Sequence, residues 1–331
     1  GIYILKFVVI GLGSMGKRRI RLLKQIDANF SIIGVDSNLC ELKKVKTEFN
    51  IKVTDDLDSA LEKYVPDCAI VSLPPKLHAE VIQKCLKANC HVFSEINLVK
   101  DGYDENILLA QKNNRVLFLS STFLYRKEIE YIENSVLQSS EKFNYIYHIG
   151  QYLPDWHPWV KLSDFFISKK DTNGCREILA IELPWIIKCF GKIQKISVLS
   201  SKNTNLPIDF PDNYLIQILH ENGHKGSLIV DVISRKAVRY LEVLSENLHL
   251  TWNGTPNSLT KFDITSKKDL NVNLYKSAIE HEDGYEAYIV ENAYKAELLA
   301  FIQQIRDNIA PKYSFLDDKY VIDVIDEIEN Q

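Results

Sequence analysis

The chain is poor in the features that mark several large classes of protein. Its six cysteines, Cys40, Cys68, Cys85, Cys90, Cys175 and Cys189, include no C-x-x-C pair. In 331 residues that scatter argues against a disulfide framework, so a reducing compartment, the cytoplasm, is expected. No apolar run reaches the roughly 18 residues of a membrane span. The first one, Phe7-Val8-Val9-Ile10, suits a strand, so no secretory leader is expected, and Gly1 in place of Met reads as a cloning remnant. An excess of one charge is also missing. Forty basic and 44 acidic residues leave a net charge of −4, which favours neither nucleic acid nor a membrane surface as partner. The basic clusters Lys17-Arg18-Arg19 with Arg21, and Lys43-Lys44 with Lys46, read as solvated helix faces. Metal chemistry finds no support either. His220 and His224 lie across a hairpin, His148 lies on a strand, and His281 lies among Glu280, Glu282 and Asp283. None of these makes H-x-x-x-H on a helix or a cysteine cage, so no metal is expected. Internal repeats and low-complexity linkers are lacking.

What is present is a regular alternation. Apolar strand-like runs at 6–10, 30–35, 51–53, 68–73, 91–94 and 116–121 are separated by helical patterns. Continuous apolar runs of this kind suit parallel strands buried on both faces, and their alternation with helices predicts a doubly wound sheet. Beyond residue 121 the pattern changes to longer strands at 143–152, 193–200, 214–220, 225–234, 240–244 and 248–252, with Asn222-Gly223 as a hairpin signal. One helix, 177–190, interrupts them, and two more, 285–308 and 317–329, close the chain. The expected class is therefore α/β, with a dinucleotide-binding domain over 1–121 and a second domain over 122–331. The second domain carries a mostly antiparallel open sheet, and the last helix packs back on the first domain. Ile216, Ile218, Ile229 and Val243 are expected on the outer face of that sheet.

Gly11-Leu12-Gly13-Ser14-Met15-Gly16 is a G-x-G-x-x-G string between a strand and a helix. Gly11 permits the tight turn, Gly13 lets a pyrophosphate reach the backbone at Ser14 and Met15, and Gly16 lets helix and strand pack closely. Asp36 ends the second strand 20 residues beyond Gly16, where an acid binds ribose hydroxyls and repels a 2′-phosphate. Ser37 and Asn38 follow it with no arginine, so NAD is expected rather than NADP. Ser72, Pro74 and His78 belong to the loop after the fourth strand, and the carboxyl ends of such strands line the ligand crevice.

Together these residues resemble the glucose-fructose oxidoreductase, inositol dehydrogenase and MocA family over nearly the whole chain. The resemblance adds Ser94-Glu95 at the end of the fifth strand, with Glu95 beside the cofactor. It implies hydride transfer between a nicotinamide and a sugar or cyclitol carbon, and sheets paired face to face in a homodimer or homotetramer. Two family signatures are altered. Where E-K-P is usual, the chain has Glu95-Ile96-Asn97. Counting back from Phe190-Gly191, the family's histidine and aspartate fall on Ile181 and Pro184. Isoleucine carries no proton, so the family's usual acid/base is missing.

Replacements are sought in two segments, Gln151–Trp159 and Gly174–Glu182. His157 is the first candidate acid/base, with Asp155 orienting it, and Glu182 is the second. Tyr152, Trp156 and Trp159 offer faces and donors for a sugar, and Arg176 and Glu177 offer charged contacts. Tyr125-Arg126 reads as a helix-start salt bridge. The strings Y-L-P-D-W-H-P-W and R-E-x-x-x-x-E-L-P-W are similar to those of family members tied to bacterial surface polysaccharides. The expected function is thus an NAD(H)-dependent oxidoreductase of a nucleotide-activated or nonulosonic-type sugar. An NAD-retaining lyase, epimerase or dehydratase, or a non-catalytic sensor, is the alternative.

Overall fold

Phe7, Val8 and Val9 have no solvent exposure, as a strand covered on both faces requires. They lie in β1 (Lys6–Ile10) of the computed structural model, which describes residues 2–275 and 285–331. Two compact units emerge: Gly1–Thr122 with Ala293–Tyr320, and Phe123–Asn292 with Val321–Gln331.

In the first unit β1 leads into α1 (Ser14–Ile26), followed by β2 (Ser31–Val35), α2 (Leu39–Phe49) and β3 (Lys52–Thr54). Then come α3 (Leu57–Ser59), β4 (Cys68–Val71), α4 (His78–Lys87), β5 (His91–Ser94), α5 (Tyr103–Lys112) and β6 (Leu117–Leu119). The sheet order is β3-β2-β1-β4-β5-β6, and every pairing is parallel. The order reverses between β1 and β4, which brings the residues after both strands together at one edge of the topology. Gly11 N donates to Val35 O at 2.8 Å and Ser72 N to Ile10 O at 2.8 Å, fixing the two loops that leave this switch point.

The second unit contains α6 (Lys127–Leu137), β7 (Asn144–Gly150), α7 (Gly174–Phe190), β8 (Ile193–Ser201), β9 (Asn213–His220) and β10 (Lys225–Asp231). It continues through β11 (Val238–Leu244), β12 (His249–Trp252), β13 (Thr260–Asp263) and β14 (Lys268–Asn271). α8 (Tyr285–Asp307) and α9 (Phe315–Glu329) close the chain. The eight strands run in the order β14-β13-β12-β11-β7-β10-β9-β8. All pairs are antiparallel except β7 with β10. Asn222-Gly223 makes the β9–β10 hairpin, with Gly223 at φ 95°, a region glycine enters without strain. α7 covers one face of this sheet. Tyr145 stacks on Phe190 at 4.3 Å, and Tyr147 meets Trp185 edge-on at 5.6 Å.

The outer-face expectation needs correction. Ile216, Ile218 and Val243 are buried on the inner face, and of the four only Ile229 faces outward. β9 is apolar on both faces, so alternation alone does not say which set is inside. The outward row runs through Leu199, Leu215, Ile229, His148 and Tyr240, which are register partners across five strands. Beside it lies a concavity of about 550 Å³ lined by Ile146, Gln217, Ser227 and Leu244, among others. β13 and β14 were not foreseen, because Lys261, Lys268 and Asp269 give them no apolar period.

Candidate functional site

The glycine string turns between β1 and α1 as its spacing requires. Gly11 sits at φ 93°, and a Cβ there would lie 2.6 Å from Ser72 O. A Cβ on Gly16 would lie 1.8 Å from Gly11 O. Gly13 differs, for a Cβ there would meet nothing within 4 Å, so open space adjoins its backbone. α1 begins there with no side-chain cap and no acid in its first turn, leaving the N–H groups at Ser14, Met15 and Gly16 suited to phosphate. Asp36 is fixed across from this turn: Oδ2 accepts from Leu12 N at 2.7 Å and Oδ1 from Asn38 N at 2.8 Å. Asn38 itself caps α2, accepting from Cys40 N and Glu41 N, and Lys44 pairs with Glu41. A pyrophosphate over the glycine turn and a ribose at Asp36 fit these residues.

Ser72 donates through Oγ to Glu95 Oε2 at 2.9 Å. Pro74 precedes a single helical turn, Pro75–Leu77, which delivers His78 to the start of α4. His78 is buried, with Nδ1 at 2.5 Å from Asn97 Oδ1 and Nε2 at 2.5 Å from Leu73 O, and burial lowers its pKa. Glu95 forms a two-point pair with Arg19. Arg19 Nη2 also reaches Glu297 Oε2 at 3.1 Å, and Glu297 accepts from Ser120 Oγ, Ser121 N and Thr122 Oγ1. Arg19 thus corrects the reading of its basic cluster as a solvated face, because it has no exposure at all. It shares the inward side of α1 with Gly16, Ile20 and Leu23, a spacing that was visible in the sequence but hidden by the run of charges.

In the second unit the loop after β7 carries most of the sequence candidates. Tyr152 lies under the Arg235 guanidinium at 4.2 Å, and Trp156 donates through Nε1 to Gln151 O at 3.0 Å. His157 packs edge-on against Trp159 at 5.2 Å and against Phe165 at 4.4 Å. Asp155 is exposed, and Trp159 is 78% exposed. Arg176 is buried and pairs with Asp326 at 2.8 Å and with Glu329. Glu182 has no exposure and accepts from Tyr147 Oη at 2.7 Å, from Trp185 Nε1 at 2.7 Å and from Arg239. Tyr147 and Arg239 were not singled out from the sequence, since nothing local marks them. Glu177, on α7, is half-buried, and burial pushes its carboxyl up to about 7. Arg126 pairs with Glu128 at 3.1 Å.

Three further histidines among the described residues have structural partners. His220 lies between Tyr145 Oη at 2.8 Å and Gly191 O at 2.6 Å, and His224 Nδ1 accepts from Phe143 N. His148 pairs with Asp231 at 2.6 Å, and His281 falls outside the described residues. Among the described residues no group of three or more His, Cys, Asp or Glu is placed to hold a metal. No helix among them is long and apolar enough to cross a membrane, and the six cysteines are unpaired.

Comparison with known proteins places the first unit in a class. Residues 5–120 match the profile of the Gfo/Idh/MocA family, described as an oxidoreductase family with an NAD-binding Rossmann fold. The match covers the first unit's sheet and helices, and NAD is the cofactor that the matched domain's description names. A curated relative, 4-carboxy-2-hydroxymuconate-6-semialdehyde dehydrogenase of Sphingobium sp., is 26% identical over 137 residues. That stretch takes in 40% of this chain and 43% of the relative. Among solved structures, UDP-N-acetylglucosamine 3-dehydrogenase GnnA of Acidithiobacillus ferrooxidans superposes with a TM-score of 0.76 at 14% identity, over 99% of this chain and 98% of that one. The WlbA dehydrogenase of Bordetella pertussis, solved with NADH and UDP-GlcNAcA, gives 0.79 at 13% identity over 99% and 95%. These two likenesses extend the shared fold through the second unit.

Proposed function

We propose that the chain is an NAD(H)-dependent oxidoreductase of a nucleotide-activated or nonulosonic-type sugar, acting in bacterial surface-glycan synthesis in the cytoplasm. The observation that carries it is the shelf of rings in the second unit, of which Trp159 is open to solvent, in a chain whose first unit carries a dinucleotide turn. His157, Trp159 and Phe165 pack edge to edge while Trp159 stays open to solvent, which suits one face of a sugar ring or a base. GnnA and WlbA, by their names and bound ligands, handle UDP-sugars, and this supports the substrate class.

When bound, the nicotinamide supplies a two-electron donor or acceptor. Gly13, Ser14, Met15 and Gly16 would hold the pyrophosphate, and Asp36 would hold the ribose. Ser72, Pro74, His78 and Glu95 would shape the loops on the cofactor side. Tyr152, Trp156 and Trp159 orient the sugar, with Asp155 at the mouth of their loop. Arg176 anchors the start of α7. Glu182 acts through Tyr147 and Arg239, because its oxygens already accept from those side chains and from Trp185. Proton transfer falls to His157 in the loop or to Glu177 on α7. The test is absorbance of reduced nicotinamide, with NAD or NADH and a panel of UDP-sugars, free sugars and nine-carbon acidic sugars. Turnover of a sugar nucleotide or acidic sugar is expected. Binding of NAD without turnover of any member would overturn the reading.

A further inference from the structure

α7 is enclosed on almost every side. From Gly174 to Pro184 every residue is buried except Glu177 and Ile181. These two stand four positions apart, one above the other on a single face of the helix. Glu177 is therefore the one ionisable group on the open strip of these turns. Among the described residues its carboxyl has no hydrogen-bond or ion-pair partner. A half-buried carboxyl without a partner is uncommon and calls for an explanation.

Several charges on α7 and on the elements packed against it are committed elsewhere. On α7, Arg176 turns to Asp326 and Glu329, Glu182 to Arg239, and Lys188 to Glu133 of α6. On β9 and β10, His220 is held by Tyr145 and Gly191 O, and Asp231 by His148. In the turns packed on the start of α7, Lys169 Nζ donates to Ser163 O. Burial is accordingly the sole cause of Glu177's raised pKa, near 7, where an acid/base is poised to work at neutral pH. Ile181, one turn on, keeps an apolar neighbour on the same strip. His157 contrasts with this arrangement: two aromatic rings pack on it and no side-chain hydrogen bond fixes it among the described residues.

We propose that Glu177 is the general acid/base of the enzyme, exchanging a proton with the carbinol oxygen of a substrate lying against the open strip of α7. The inference rests on the oxidoreductase reading above. In the oxidative direction the O–H bond breaks and its proton passes to a Glu177 carboxylate oxygen. The C–H hydrogen leaves with both bonding electrons to the oxidised nicotinamide supplied as co-substrate, and C=O forms. In reduction the proton returns from the carboxylic acid to the oxygen.

Two measurements test it. Infrared titration of the whole chain follows the protonated-carboxyl band against its Glu177→Gln variant. A band with a midpoint near neutrality that vanishes in the variant is expected. A midpoint in the ordinary carboxylate range would overturn the proposal whether or not a substrate is in hand. The second measurement is steady-state turnover with NAD and UDP-N-acetylglucosaminuronic acid as the probe. Glu177→Gln is expected to lower kcat about 100-fold or more while KM and NAD binding change little, and to remove the acidic limb of the pH profile. Glu177→Asp, which keeps a carboxyl, should recover part of the rate and guards against a folding defect in the amide. Unchanged turnover in Glu177→Gln, with loss in His157→Ala, would overturn the proposal in favour of the loop. If the wild type turns over no sugar at all, the substrate reading fails, and the infrared midpoint still decides Glu177.

Discussion

Arg19 and Glu95 meet through two parallel contacts, Nη2 to Oε1 at 2.7 Å and Nε to Oε2 at 2.8 Å, in a part of the first unit where Arg19 has no exposure. The same guanidinium serves Glu297, whose carboxyl burial pushes up and Arg19 pulls back down. Arg19→Ala would leave two carboxylates with no cation between them. A loss of about 3–5 kcal/mol in urea unfolding is expected. The deficit should shrink as pH falls, because protonation neutralises the stranded acids. A loss under about 1 kcal/mol would show that the cluster is not needed for stability.

Gly13 and Gly16 separate folding from cofactor binding. Gly13→Ala puts a methyl group into open space, so its melting temperature should match the wild type while NAD affinity falls by tenfold or more. Gly16→Ala forces a Cβ against Gly11 O and should lower both. Thermal melts with and without NAD read the difference. Equal behaviour of the two variants would refute the assignment of Gly13 to the ligand.

Asp36 is expected to set the preference between the two nicotinamide dinucleotides. Its carboxylate is held by Leu12 N and Asn38 N at the end of β2. Asp36→Ala should weaken NAD by roughly 1–3 kcal/mol and narrow the gap to NADP. Calorimetric titration of both dinucleotides would show it, and an unchanged ratio would sink the claim.

His220 makes the second unit sensitive to acid. Burial lowers its pKa to about 4, so between the unfolded value of 6.5 and that figure the unfolded chain binds the extra proton. Its contribution is complete above pH 6.5 and disappears as pH falls toward about 4, to a limit of about 3 kcal/mol. His220→Gln should flatten the stability profile over that window. A profile as steep as that of the wild type would rule His220 out.

The outward row on the eight-stranded sheet predicts self-association. Leu199 is 72% exposed and Leu215 44% on neighbouring strands, and the row continues through Ile229 and His148 to Tyr240, 40% exposed. Light scattering should report a homodimer or homotetramer. Leu215→Lys with Ile229→Lys should yield monomers. A monomeric wild type would remove the basis for this expectation.

The alternating architecture was readable because parallel strands buried on both faces have to be continuously apolar, as β1 and β4 are. The glycine turn was readable because backbone geometry restricts Gly11 and Gly16 to glycine. The second half was harder. The face assignment of β9 failed because Tyr214, Ile216 and Ile218 on one side oppose Leu215 and Leu219 on the other, and period two does not name the inside. Arg19, Tyr147 and Arg239 escaped notice because their roles depend on partners 76, 35 and 57 positions away in sequence. No local pattern encodes such meetings. Glu177 was read as a charged contact; its isolation and raised pKa come from what surrounds α7 and not from its neighbours in sequence.

Glu297 gives the first unit a dependence on the order of synthesis. Its acceptors bind Ser120 Oγ, Ser121 N and Thr122 Oγ1, residues that directly follow β6, and it shares Arg19 with Glu95. All of those partners leave the ribosome long before residue 297 does. The parallel sheet can therefore assemble early, yet Arg19 must wait with Glu95 alone while the whole second domain is made. A nascent chain halted short of α8 would present this charge cluster incomplete, open to water and to the chaperones that read unfinished surfaces.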